Sequence, residues 1–323
     1  GDPDFVVVRT GVMAASLLPP KDSLIPLALV GDSEKNTDGA LFALARSVGA
    51  KTWGPVPLDR VRITIVEGMR SYPAEVKLRA EEHWKAVLRV SPHLFEGPVW
   101  CLRSVTEPFC CPQASHRDDD VVVELELQRS SFKYVLYTHL STDALLLPEA
   151  HRAGAIGVSA MTATADGYLV LGRRSEMLAC LPGHWHFAPA GQLDSASVQA
   201  VLEKELHEEL GCTWGDVADS RLLALMDSGA EQGHKWDFIC WLRLSLGASQ
   251  VHALYSRAED SYEHDGLIFV RIPGAAPLRG EVGPTLEFDE FFEQHLLSDV
   301  ARRALVLFRH MLRDEAWRAC FFA

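Results

Sequence analysis

Residues 188–212, APAGQLDSASVQAVLEKELHEELGC, set Glu203, Glu205, Glu208 and Glu209 into one short helical run directly after a Pro-Ala-Gly turn. On a helix advancing about 100° per residue, Glu205, Glu208 and Glu209 fall within a sector of roughly 100°. Leu202, Leu206 and Leu210 occupy the neighbouring sector and would seat the helix on a sheet. The three carboxylates are therefore expected at the rim of the buried face, where a cleft wall would run. Asp194, Ser195 and Ser197 offer N-cap oxygens, and Gly211 suits the left-handed residue beyond the last turn. Like charges three and four apart destabilise a bare helix by roughly a few tenths of a kcal/mol per pair. Such a run is either a solvated acidic face, its commoner fate, or a set of ligands for a cation. Hard oxygen donors would favour Mg²⁺, or Mn²⁺, over zinc.

The surrounding chain narrows what the helix can belong to. At 323 residues it is long enough for one large or two modest domains. A formal charge of −13 disfavours nucleic acid as a partner, because phosphate backbones are held by Lys and Arg. No apolar run is long enough to cross a bilayer, and Asp2 and Asp4 stand where a secretory leader would be basic. Seven scattered cysteines, an odd number, suit reduced thiols and a cytoplasmic location.

Up to about residue 150 the pattern mixes strands and helix. DFVVVRTGV (4–12), IPLALVG (25–31) and VRITIVEG (61–68) read as strands, and PAEVKLRAEEHWKAVLRV (73–90) as a helix opened by Pro73. Val76, Leu78, Ala80, Trp84, Val87 and Leu88 are its apolar residues, at near-helical spacing. DVVVELELQ (120–128) alternates as a strand should, with KYVLYTHL (133–140) expected as its partner. From His151 onward, AIGVSAMTAT and YLVLGRR flank Asp166-Gly167, a pair suited to a type I′ hairpin turn. Three more strands are expected in 221–229, 234–246 and 266–272. A helical tail follows, with Phe288, Phe291, Phe292, Leu296, Val300, Leu305, Phe308 and Met311 on its buried side. These elements predict an α/β (α+β) chain: an N-terminal α+β domain at 1–150, then a mixed-sheet sandwich with C-terminal helices at 151–323.

Gly191, Glu205, Leu206, Glu208, Glu209 and Gly211 resemble the Nudix box, G-x5-E-x7-R-E-U-x-E-E-x-G-U, where U is a bulky aliphatic residue. The entry through LVLGRRS and PGHWHFAPAG is similar to the approach to that box. Blocks at 81–105, 156–187 and 262–270 resemble the branch of the superfamily that contains the animal UDP-glucose diphosphatase. The likeness spans roughly residues 80–300 and leaves the first 75 or so unmatched. Ser197 stands where the box has its first glutamate, Lys204 replaces the arginine, and the segment between them is one residue short. Lys is a poorer bidentate clamp than Arg.

The resemblance implies an α/β/α sandwich that hydrolyses a nucleoside diphosphate linked to another group. It implies Mg²⁺ held by Glu205, Glu208 and Glu209, with the Gly191 carbonyl completing the shell, and catalysis by the same glutamates. Glu263, in SYEHDG, matches an acid that the family draws from outside the box; a solvated turn residue is its other reading. Arg173 and Arg174 are candidates to meet the diphosphate, one of them being better suited to a surface ion pair. The partner implied is a small nucleotide conjugate, with UDP-glucose the nearest analogy and coenzyme A a fallback. A Nudix-fold nucleotide-binding protein weakened in turnover is the alternative. Oligomeric state is left open. His184, His186 and His207 match no compact zinc spacing, and Trp185 reads as core.

Overall fold

The computed structural model describes residues 50–90, 92, 96–105, 123–178, 181–229, 233–274, 285–313 and 315–322. The strands expected at 4–12 and 25–31 lie outside these residues, as do Phe95, Cys110, Cys111 and Cys180.

Nine described strands form one mixed sheet. Its central strand, β5 (Ile156–Ala163), is buried at every position, which is why its sequence is apolar almost throughout. β5 runs parallel to β10 (Trp236–Leu244), which pairs antiparallel with β9 (Val217–Asp227). β9 in turn carries β1 (Ala50–Pro57) on its outer edge, so a strand from the N-terminal region completes this sheet. On the other side lies β6 (Tyr168–Arg174), then β11 (His264–Arg271) and the short β12 (Thr285–Glu287).

β5 and β6 pair only at Thr162–Val170 and Ala163–Leu169. Beyond that they fork. β8 (Ala190–Gln192) pairs with β5 and β7 (Trp185–Phe187) with β6, so the Pro-Ala-Gly turn is held inside the fork.

Side chains alternate across this sheet into two layers. Val158, Ala160 and Val170 point to α3 (Val198–Leu210) and α4 (Ala248–Tyr255). Met161, Leu169, Leu171 and Trp241 point to α5 (Phe288–Gln294), α6 (Asp299–Met311) and α7 (Glu315–Phe322). The architecture is a mixed α/β sandwich. A second, three-stranded sheet orders β2 (Val61–Met69), β4 (Val123–Ser131) and β3 (Pro98–Val105), backed by α1 (Ala74–Val90). Val123, Leu125 and Leu127 of β4 share a hydrophobic cluster with Val201 and Leu202 of α3, which joins the two sheets.

Four expectations are corrected. KYVLYTHL is not a strand: α2 (Phe132–Val135) is α-helical and Leu136–Leu140 a π turn. β4 already has a partner on each edge, so the run has no free edge to join. It coils back instead, burying Val135 and Tyr137 beside Tyr72, Val76 and Ala80. The Asp166-Gly167 turn is not type I′, since Gly167 alone of the pair has positive φ, at 84°. Gly167 N–H donates to Thr164 O and Thr164 N–H to Tyr168 O, giving a type I turn closed by a glycine bulge. Leu296 is 57% exposed. It lies past the end of α5, where its carbonyl accepts from Trp185 N–H and its side chain is turned out. Leu78 of α1 is likewise exposed, on the face away from Val76 and Ala80.

Candidate active site

The glutamate run is a helix with both ends set by local chemistry. Ser197 Oγ accepts from Ala200 N–H at 3.2 Å, capping α3, and Gly211 takes the left-handed conformation at φ 68°. Val198, Val201, Leu202, Leu206 and Leu210 are buried and seat the helix on the sheet. That seating grades the carboxylates. Glu209 is buried, Glu205 has 14% of its side chain exposed and Glu208 29%. Glu203 is in solvent.

Glu205 packs against Gly191, the last residue of the Pro-Ala-Gly turn. A Cβ built on Gly191 would stand 2.5 Å from Glu205 Cδ, so no larger residue fits there without moving that carboxylate. Lys204 reaches three acids: Asp194 at 3.1 Å, Glu205 at 3.5 Å and Glu208 at 3.8 Å. Burial pushes the Glu205 carboxyl up to about 7, against the pull of Lys204, with Glu208 and Glu263 adding repulsion. Glu208 and Glu263 are raised too, in each case chiefly by burial. Glu209 is held well above the usual carboxylate range, by burial and then by the charges of Glu205 and Glu263. Its Oε1 accepts from Ala190 N–H at 3.3 Å, while Oε2 is buried without a hydrogen-bond partner.

Glu263 lies 54 positions beyond Glu209 in the chain, on a turn at Ser261–Glu263, and its charge acts on both Glu205 and Glu209. Two backbone bonds hold that turn against the site: Asp260 N–H donates to Glu208 O, and Ser175 N–H to Glu263 O, each at 2.8 Å. Arg174 belongs to the same group, since its charge lowers Glu209 and Glu263 and also acts on His186 and His264. Arg173 points elsewhere, to Glu176 at 2.9 Å and Asp265 at 3.7 Å. His186 is a core residue between Ser159 Oγ (3.2 Å) and Ser298 Oγ (2.7 Å). Trp185 is half-buried, edge-on to Phe291 and His295.

Sequence reasoning passed over His264. It is buried, with Nε2 at 3.8 Å from Glu209 Oε2 and Nδ1 unpartnered, and burial lowers it to about 4, so it is neutral. The available signal was Gly172, a lone glycine inside the strand YLVLGRR: such a residue marks a close approach, here of the His264 ring.

Among the described residues, no three His, Cys, Asp or Glu side chains converge closely enough to hold an ion as they stand. The chemistry of the set nonetheless fits a hard divalent cation. Four carboxylates, largely removed from water, bear on one another's charge, and one buried oxygen has no donor. Among the described residues, Cys101, Cys212 and Cys240 are free and buried, and burial raises each thiol. No described helix is long and apolar enough to cross a membrane.

A mixed α/β sandwich with a capped glutamate helix behind a glycine turn is the arrangement that the Nudix resemblance implies, and the chain resembles that superfamily in both respects. Over 218 residues it is 27% identical to the uridine diphosphate glucose pyrophosphatase NUDT22 of Homo sapiens, a match covering 58% of this chain and 69% of that protein. No family profile matches the chain. Two solved structures align with TM-scores of 0.32: DR0079 from Deinococcus radiodurans, 13% identical, covering 47% of this chain and 80% of the other, and the MutT protein from Methanosarcina mazei Go1, 18% identical, covering 50% and 95%. At that score neither adds weight to the assignment.

Proposed function

We propose that this chain hydrolyses the diphosphate of a nucleoside diphosphate sugar, with Mg²⁺, or Mn²⁺, as its cofactor. UDP-glucose, split to UMP and glucose 1-phosphate, is the first substrate to test. The observation that carries the reading is Glu209: a carboxylate buried among other acids, with one oxygen lacking any donor, is costly unless a cation is part of its working state. The likeness to the human pyrophosphatase supports the substrate class.

When bound, a divalent cation would neutralise phosphate oxygens and lower the pKa of a coordinated water. Glu205, Glu208 and Glu209 are the side chains assigned to hold it, with the Gly191 carbonyl. Glu263 is assigned to take the proton of the attacking water, and burial, by raising its basicity, suits that task near neutral pH. The water oxygen bonds to one phosphorus, the bridging P–O bond breaks, and the second phosphate leaves as an anion. Arg174, whose charge already acts on Glu209 and Glu263, is assigned to stabilise charge on the diphosphate. Arg173 would first have to release Glu176 and Asp265. The same reading takes residues 1–150 as an accessory region ahead of a catalytic 151–323, in a cytoplasmic protein acting on a small molecule.

A second reading has one observation in its favour. The Lys204 ammonium already lies within 4 Å of Glu205 and Glu208 and offsets part of the charge a metal would neutralise, as suits a nucleotide-binding protein with weakened turnover. Chromatography of products from UDP-glucose and a panel of nucleotide conjugates including coenzyme A, with Mg²⁺ or chelator and alongside Glu209→Gln, separates the two. Chelator-sensitive UMP release abolished by Glu209→Gln is the expected result. Cleavage of only another conjugate discards the sugar nucleotide. Tight binding of one conjugate without turnover favours the binding protein.

A further inference from the structure

We propose that His264 is the positioning residue for Glu209, its Nε2–H being the donor that holds the buried carboxylate in the orientation a metal ligand needs. The inference rests on the reading of Glu209 as a ligand, but the hydrogen bond can be tested separately.

A buried carboxylate oxygen and a buried imidazole nitrogen face each other here. Glu209 Oε2 has no hydrogen-bond partner, and His264 Nε2 stands 3.8 Å from it, with 4% and 3% of the two side chains exposed. Closing that gap to a normal length of about 2.9 Å is a movement of roughly 1 Å. Lys204 is spread over three other acids, Asp194, Glu205 and Glu208.

The backbone is arranged to put the ring there. β11 is bulged between His264 and Gly266, where its register against β6 shifts, and such bulges re-aim a side chain. The ring then lies over Gly172 of the neighbouring strand, where a Cβ would stand 2.6 Å from Nε2. A carboxylate facing Nε2 favours the tautomer with its proton on that nitrogen, leaving Nδ1, which has no partner, as a bare acceptor.

The test uses the full chain in two arms. In chelator, ¹⁵N spectra of the imidazoles should show His264 protonated at Nε2, with that resonance moving in Glu209→Gln. In calorimetry with Mn²⁺ as the probe, His264→Phe should bind roughly 10–100-fold more weakly than wild type, the usual effect of losing a ligand's supporting hydrogen bond. His264→Gln, which restores an amide donor, should recover most of the loss. Gly172→Ala, which keeps the imidazole but pushes it aside, should weaken binding as His264→Phe does, and it carries this arm if His264→Phe does not fold. A proton on Nδ1 that ignores Glu209→Gln overturns the proposal. So does a folded His264→Phe with wild-type Mn²⁺ affinity. A wild-type chain that takes up no Mn²⁺ refutes the metal reading instead, and the tautomer arm then decides for or against the hydrogen bond alone.

Discussion

Replacing Glu205 by glutamine should stabilise the metal-free protein while removing a carboxylate assigned to hold the metal. The Glu205 carboxyl is raised from the ordinary 4.5 to about 7 by burial. Between those two values the unfolded chain loses its proton while the native state keeps it, so the unfolded state binds fewer protons and stability falls as pH rises. The interval spans roughly 2.5 pH units at about 1.4 kcal/mol each. The native state is therefore penalised by about 3 kcal/mol at pH 8 and by almost nothing at pH 4. Glu205→Gln cannot ionise and escapes that penalty. Urea unfolding in chelator should find the variant about 3 kcal/mol more stable than wild type near pH 8, with the two converging near pH 4. Saturating Mg²⁺ should shrink or reverse the difference, since a ligand at about 100 times its Kd adds roughly 2.7 kcal/mol to the state that binds it. A variant less stable than wild type at pH 8, or a gain independent of pH, would refute the account of Glu205 as an acid held ionised against its surroundings.

Three further outcomes follow from the same geometry. Gly191→Ala forces a Cβ to within 2.5 Å of Glu205 Cδ, so turnover should fall by more than about tenfold with at most roughly 1–3 kcal/mol lost from stability, as kinetics and unfolding will show. Lys204→Met removes the cation that holds Glu205 down, so the pH at which Mg²⁺ binding rises should move upward in calorimetry at several pH values. Gly211→Ala meets both a positive φ and Leu254 O at 2.8 Å, and should cost about 1–2 kcal/mol in thermal unfolding without altering the pH dependence of metal binding.

Much of this molecule is legible in short stretches of its chain. The bounds of α3 are written by Ser197 and Gly211, because a cap and a left-handed terminus are satisfied within one turn of helix. The strand runs 155–164, 168–174 and 266–272 emerge close to where their patterns put them, since an apolar run bounded by turn residues is set by neighbours along the chain. The acidic rim of the helix is legible for the same reason. What local pattern could not settle is anything that depends on a partner distant in the chain. KYVLYTHL has a strand's composition, yet coils because β2 and β3 have already taken both edges of β4. Glu205, Glu208 and Glu209 look alike in sequence, and only the packing of α3 on the forked sheet buries Glu209 while leaving Glu208 half in water. Glu263 and Arg174 reach Glu209 from separate elements, and His264 meets it through a bulge and a glycine on two different strands. Residue types and helix periodicity determine which groups can carry charge. Burial, which sets what that charge costs and which oxygen is left needing a donor, is decided only when distant strands and turns close around it.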